Sequence, residues 1–477
     1  MRITLLGALL CCAFSLFSQD LVTTEDRGTR SEAAMKAIYG PFILYGVERQ
    51  KMTYTTIGTD GQPDTASGLF IVPDLHDQIY PVLVYHHGTV DGPADVPSAL
   101  EGGYQLAEVL AGMGYVVAAP DYLGLGDSRG FHPYVDPVTE SRATIDMVSA
   151  LKEYVDTDDE VFINDQLFLT GYSQGGHASM AAQRTIEQDP DSDLTVTAGA
   201  HMSGPYSISE KMVEFTLGDT EYFFVAYLPN TLLSLWEVNP GILDSLEQVF
   251  LPQFVPPIEE YYAGNIGLNN LNSQLIAQLT TEFGASEPRF MLQDSVVDAL
   301  FDQPDHFLTQ ALASYDVADW TPMVPTRMFY CEGDDQVTFL NAIYADSLMN
   351  ANGAPDVQAI SVNMTADHGG CVEPATLNTI LFFGSYQNIE QLLGTSSSPE
   401  LEAITVYPQP AGEELTLANL PTGTELKIYH TGGQLMVART GRNDTEQIDV
   451  SGFPAGIYLL ELSRNGYRQT RLVVIQR

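Results

Sequence analysis

Positive charge is what this chain has least of. Its 20 Lys and Arg face 62 Asp and Glu, a formal balance of −42 at pH 7. Such an excess repels phosphate backbones and anionic headgroups, so nucleic acid and anionic membranes are excluded as electrostatic partners. The acidity reads as a solvated, soluble surface rather than a determinant of substrate choice. Cysteine is scarce too: there are four, and Cys11 and Cys12 sit in the extreme N-terminal run. Cys331 and Cys371 remain beyond it, which suggests one disulfide in an exported protein. Long apolar runs are missing too. Ile3 to Phe17, in "MRITLLGALLCCAFSLFSQD", is too short to span a bilayer, and no other stretch is long enough, so no transmembrane segment is expected. With Arg2 ahead of it, that run reads as a secretory signal peptide over 1–19, cut near Ser18 or Gln19. A lipoprotein anchor on Cys11 is set aside because bulky Leu10 precedes it.

What is there is a core-forming chain of 477 residues, 44% hydrophobic, long enough for more than one domain. From about Tyr54, short apolar segments read as buried strands: "PVLVYHH", "YVVAAP", "LFLTGY", "TAGAHMSG", "RMFYCEG" and "VQAISVNM". Helical patterns lie between many of them, as at Tyr104–Gly112, Ser141–Tyr154 and Gly176–Gln188. Strands alternating with helices predict an α/β fold, a mostly parallel sheet covered on both faces. One connection, about 205–325, is far too long for a structureless loop. It reads as an inserted helical cap whose aromatics, as in "YFFVAYLPNTLLSLW", either fill the cap's own core or also line a substrate groove.

Near "GTSSSPE" the composition changes, which marks a linker over 394–400. Residues 20–399 hold 12 Lys and Arg against 53 Asp and Glu, a balance of −41, whereas residues 400–477 hold 7 against 9. "LTLANL", "LKIYH", "YLLELS" and "RLVVIQ" alternate like half-buried strands between "PTG", "TGG", "PAG" and "RNG" turns. Residues 401–477 are therefore expected to form a small β-sandwich, with 20–393 as the catalytic domain.

The chemistry centres on "LFLTGYSQGGHASM", where Gly171 and Gly175 flank Ser173. Alone, G-x-S-x-G carries little weight. Here a strand precedes it and a small-residue helix follows. That setting puts a serine on a tight elbow where strand and helix backbones come close. A serine hydroxyl needs an adjacent base. His76, His86, His87 and His132 precede the nucleophile; His177 lies four residues on and reads as a helix-surface or packing residue. His201 ends a strand, His306 lies in the cap and His430 in the tail. His368 remains, in "NMTADHGGCVEP" after the last parallel strand. An acid must orient it, and "YCEGDDQVTF" places Asp334 and Asp335 after the preceding strand. The developing oxyanion needs donors: the backbone N–H of Gln174 and, from the loop in "VLVYHHGT", that of Thr89, with Gly88 allowing close approach. Adjacent His86 and His87 would face opposite sides of a strand, so a shared metal is set aside, and no cofactor is implied. Cys331 lies three residues before Asp334 and Cys371 three after His368, so a bridge between them would tie the loops of acid and base.

"PVLVYHHGTVDGPADVPS", "GYVVAAPDYLGLGDSRGFHPYV", "GYSQGGHASM", "YCEGDDQVTF" and "DHGGC" together resemble the secreted lipase/carboxylesterase branch of the α/β-hydrolases, over about 54–386. The family's spacing selects Asp334, three residues before Val337, with Asp335 as the alternative. It implies a Ser173–His368–Asp334 triad, and a structural rather than catalytic role for Asp121 and "GLGDS". The cap lies outside the resemblance. In the tail, "VYPQPAGEELTL", "LKIYHTGGQLM", "IDVSGFPAGIYLLEL" and "LVVIQR" resemble the C-terminal sorting domain of type IX secretion. That resemblance implies export through the periplasm of a Gram-negative bacterium, outer-membrane secretion machinery as partner, and a secreted or cell-surface protein. The expected function is hydrolysis of small-molecule or lipid carboxylic esters. A prolyl-oligopeptidase-like serine peptidase and a non-catalytic surface binding protein are the alternatives.

Overall fold

The computed structural model describes residues 21–158, 160–391, 399–431, 433–464 and 467–476. The expected signal peptide and most of the expected linker lie outside these residues.

Among the described residues ten strands share one sheet, nine of them being β1 (Leu21–Arg30), β2 (Val47–Ile57), β3 (Pro63–Pro73), β4 (Gln78–His86), β5 (Val116–Pro120), β6 (Ile163–Tyr172), β7 (Val196–Met202), β8 (Thr326–Cys331) and β9 (Val357–Asn363). Their order is β1-β2-β3-β5-β4-β6-β7-β8-β9, and Glu390–Gln391 pairs with the start of β4. From β5 to β9 all neighbours run parallel. The first three strands are antiparallel additions, with β3 pairing antiparallel to β5. Sequence patterning starts the sheet too late, near Tyr54. β1, "LVTTEDRGTR", has no apolar alternation and lies on the sheet edge. It is held by pairing to β2 and by the buried Glu108 carboxylate, which accepts from Arg30 and Arg49.

The parallel strands are continuously apolar because both faces are covered. On one face, the helices Tyr104–Gly112 and His368–Gly384 pack Ala107, Leu110, Ala375 and Phe383 against Leu83, Val117 and Phe168. On the other, the helices Pro137–Thr157 and Gln174–Gln188 pack Met147, Leu151, Ala182 and Ile186 against Val82, Val84 and Leu169. The Pro137–Thr157 helix starts earlier than its apolar period indicates. Asp136 caps it by accepting from Thr139 N–H, and Pro137 occupies the first turn, where a missing N–H costs nothing.

Between β7 and β8 the chain leaves the sheet and forms the cap, with helices from Val213–Thr216 to Phe307–Ala313. The cap has its own core, built around Val225, Leu233, Phe250, Phe254, Leu271 and Leu275. No helix among the described residues is long and apolar enough to cross a membrane. The tail forms two antiparallel sheets. Thr405–Tyr407, Glu414–Ala418 and Thr445–Asp449 make one; Leu435–Thr440, Glu425–His430, Gly456–Arg464 and Tyr467–Ile475 make the other. Leu415, Leu417 and Ile448 of the first pack with Leu426, Ile428, Leu460 and Val473 of the second, which makes a β-sandwich.

Candidate active site

β6 stops at Tyr172 and the next helix starts at Gln174, so Ser173 alone makes the turn. Its φ of 61° and ψ of −122° lie where non-glycine residues rarely sit. Such a conformation costs on the order of 1–3 kcal/mol. The glycines around it are steric requirements. A Cβ on Gly171 would stand 2.2 Å from the Gly175 carbonyl oxygen, and one on Gly175 would stand 2.0 Å from the His86 carbonyl oxygen.

His368 opens the helix that follows β9, and its Nε2 lies 2.9 Å from Ser173 Oγ. Its Nδ1 lies 2.9 and 2.8 Å from the two oxygens of Asp334. A carboxylate only accepts, so Nδ1 carries the proton and a neutral ring turns its Nε2 lone pair to the serine hydroxyl. Asp334 is fixed in turn by the N–H groups of Gln336 and Val337, at 3.0 and 2.8 Å from Oδ1. Asp335 does not reach the ring. Its carboxylate accepts from the His368 backbone N–H at 3.2 Å, so it holds the start of the base's helix. All three triad side chains are buried. Cys331 and Cys371 form a disulfide that joins the end of β8 to the His368 helix. Tyr172 donates to the His368 carbonyl from the other side.

The loop after β4 comes against the nucleophile: a Cβ on Gly88 would stand 3.7 Å from Ser173 Cβ. That brings Thr89 to the site, with its hydroxyl 3.0 Å from Tyr134 Oη. Gln174 is the first residue of its helix, and the first N–H groups of a helix have no intrahelical acceptor. His86 and His87 are fully committed to the protein. His86 meets the Thr170 carbonyl and the Thr144 hydroxyl, and His87 meets the carbonyls of Gly88 and Asp121. Burial lowers both, His86 to about 4. Asp121 is buried and accepts from Ser67 Oγ and Ser98 N–H, as a structural residue would.

Beneath Gln174 lies a polar cluster that the sequence reading passed over. His177 is not on the surface; it is fully buried, with Nδ1 2.7 Å from Glu140 Oε2. Gln174 Nε2 lies 3.0 Å from Glu140 Oε1 and 2.8 Å from His132 Nε2. Burial raises the Glu140 carboxyl, against the pull of His177. One signal was legible. Glu140 falls in line with Ala143, Thr144, Met147 and Leu151 on the buried stripe of its helix, a place where an unpaired carboxylate would be costly.

Ser173 lies in the lining of an apolar cavity under the cap. Val135, Ile208, Met212, Leu228, Leu232 and Leu312 contribute to its wall. The segment "YFFVAYLPNTLLSLW" thus serves both ends: Val225 and Leu233 fill the cap core, while Tyr227 and Leu228 face the cavity. The cap also grips the acid loop, since Tyr227 and Tyr222 donate to the side chain and carbonyl of Gln336. A second depression, lined by Asp244, Gln248, Gln303 and His306 among others, contains no triad residue.

The family model for the secretion system C-terminal sorting domain matches residues 405–476. No curated protein matches the chain. Among solved structures, a ligand-bound form of the rice cell wall degrading esterase LipA from Xanthomonas oryzae is 25% identical, with a TM-score of 0.67 over 77% of this chain and 98% of that one. A provisionally assigned hydrolase from Legionella pneumophila is also 25% identical, with a TM-score of 0.69 over 77% of this chain and 98% of that one. Candida antarctica lipase A, 14% identical, shares the fold with a TM-score of 0.55 over 74% of this chain and 78% of that one. The chain thus has the α/β-hydrolase fold, is similar in structure to LipA-type esterases, and ends in a region that matches the secretion system C-terminal sorting domain.

Proposed function

We propose that the protein is a secreted serine hydrolase that cleaves carboxylic esters through an acyl-enzyme. Ser173 Oγ attacks the carbonyl carbon while His368 Nε2 takes its proton. Asp334 holds the ring in the tautomer that can do so and stabilises the imidazolium. The Gln174 and Thr89 N–H groups receive the oxyanion. His368 then protonates the leaving alcohol, water enters, and the same steps in reverse order free the acid and restore the serine. The acyl chain occupies the apolar cavity beside Ser173. The sorting domain directs export by the type IX machinery, across the periplasm to the outside of a Gram-negative cell.

The observation that carries this reading is the continuous contact Ser173 Oγ to His368 Nε2 to Asp334, at 2.9 Å and 2.8 Å. A fluorophosphonate probe tests it, since the probe reacts only with an activated serine. Wild type is expected to label and Ser173→Ala not to. An unlabelled wild type ends the enzyme reading. A p-nitrophenyl ester series from acetate to palmitate, run beside peptide anilides, tests the substrate class. Turnover of anilides but not esters would move the reading to a peptidase.

A further inference from the structure

The cluster under the nucleophile can be read proton by proton. His132 Nδ1 faces the Leu123 carbonyl at 2.8 Å, so that nitrogen carries a hydrogen and Nε2 presents a lone pair. The atom facing that lone pair must be a donor. Gln174 Nε2 is therefore the amide nitrogen. Its two hydrogens go to His132 Nε2 and to Glu140 Oε1. The cost of this orientation is visible, because Gln174 Oε1 is buried without a partner. On the far side of Glu140, His177 Nε2 faces the Tyr315 carbonyl at 2.8 Å and must be protonated. One further proton lies between His177 Nδ1 and Glu140 Oε2, because neither two lone pairs nor two hydrogens can face each other at 2.7 Å. Every hydrogen-bonding position of Glu140 is thus assigned. Gln174, Glu140 and His177 are all nine-tenths buried or more.

Gln174 sits where precision counts. Its peptide with Ser173 carries the strained turn, and under the proposed mechanism its N–H donates to the substrate oxygen. Relaxing the strained Ser173 conformation would rotate that peptide and withdraw the donor. We infer that Glu140 is a positioning residue for the oxyanion hole: it clamps the Gln174 side chain and so keeps the Ser173–Gln174 peptide turned toward the reacting carbonyl. The inference rests on the ester-hydrolase reading above.

The test compares a p-nitrophenyl ester with its thiono analogue, whose sulfur is a poor hydrogen-bond acceptor and gains little from an oxyanion hole. Glu140→Ala is expected to lower kcat on the oxygen ester about 10- to 100-fold, the range for a misplaced donor. KM should stay within about twofold, and kcat on the thiono ester should fall less than about threefold. Glu140→Gln is expected to recover most of the loss. Its amide oxygen can accept from Gln174 and its amide nitrogen can donate to a neutral His177. If Glu140→Ala does not fold, Gln174→Met removes the clamp from the other end and should show the same oxygen-selective loss. Equal losses on both esters, no loss, or a Gln variant as poor as the Ala variant would overturn the inference. Wild type that turns over neither ester would instead overturn the hydrolase reading itself, and this inference with it.

Discussion

The sheet and the cap meet at Ser173, and they are built on different terms. Every group that the proposed mechanism uses comes from the end of a parallel strand. Thr89 follows β4, Ser173 follows β6, Asp334 follows β8 and His368 follows β9. Each is fixed by backbone close approach, a buried hydrogen bond or the disulfide. The cap supplies apolar wall and two phenol hydroxyls, and its core is separate from those of the sheet. The difference is one between chemistry and choice. Parallel strands deliver groups to one edge with little freedom, while a helical insertion can change its lining without disturbing them.

The largest test of that division is Ser173→Ala. We expect kcat to fall about 10⁴-fold or more, by the same factor from acetate to palmitate, because a triad change acts before chain length matters. A loss that depends on chain length would break the comparison. Next is the disulfide, which lies wholly on the sheet side. Cys331→Ser with Cys371→Ser should lose about 4 kcal/mol in the chain-entropy model for a loop of roughly 40 residues. Urea unfolding measures this, and the ratio of long- to short-chain turnover should not move. Two free thiols in the native protein, seen by intact mass, would remove the bridge from the account.

Acid should find the sheet next. His86 and His201, on β4 and β7, are buried and held down to about 4 and about 3, chiefly by burial. Their unfolded pKa is about 6.5, so the unfolded chain takes up protons first as pH falls. Stability is therefore full above about pH 6.5 and is lost as pH drops toward the folded values. At pH 5.5 each costs about 1.4 kcal/mol, about 3 kcal/mol for the pair. Urea midpoints at pH 7.5 and 5.5 measure it, and a flat profile would contradict the burial. The smallest effect belongs to the cap. Leu232→Trp fills the cavity wall and should lower the palmitate-to-acetate ratio about tenfold, since pocket methylenes discriminate by about 1–3 kcal/mol. A changed ratio sharpens the comparison, and an unchanged one puts the acyl chain elsewhere.

What could be read from the sequence follows the same line. Continuous apolar strands and the order of Ser173, acid and His368 along the chain point to one edge of one sheet, and the structure brings those side chains into contact. The choice between Asp334 and Asp335 needed a family's spacing, because both follow β8. Their contacts separate them: Asp334 meets the His368 ring, and Asp335 meets its backbone N–H. β1 escaped because a polar edge strand takes its identity from its partner rather than from its own alternation. Tyr134 escaped for a different reason: its meaning lies in a contact across 45 residues, which periodicity cannot register. For Tyr227 and Glu140 the segment or the buried stripe was legible, but not the partners 109 and 34 residues away. For His177 the sequence leaves a helix-surface and a packing role open, and its contacts with Glu140 and with Tyr315 from the cap decide for packing.

Ser173 and His368 stand 195 residues apart, and the base arrives with the final helix of the hydrolase region. Synthesis runs from the N-terminus, so under the proposed mechanism the polypeptide has no base for most of its own making. Ser173, its elbow and the whole cap are made before the residue proposed to activate the serine. Under the proposed mechanism a chain cut short before residue 368 lacks its base and should not turn over ester, and the region that matches the sorting domain, 405–476, follows that base in the chain.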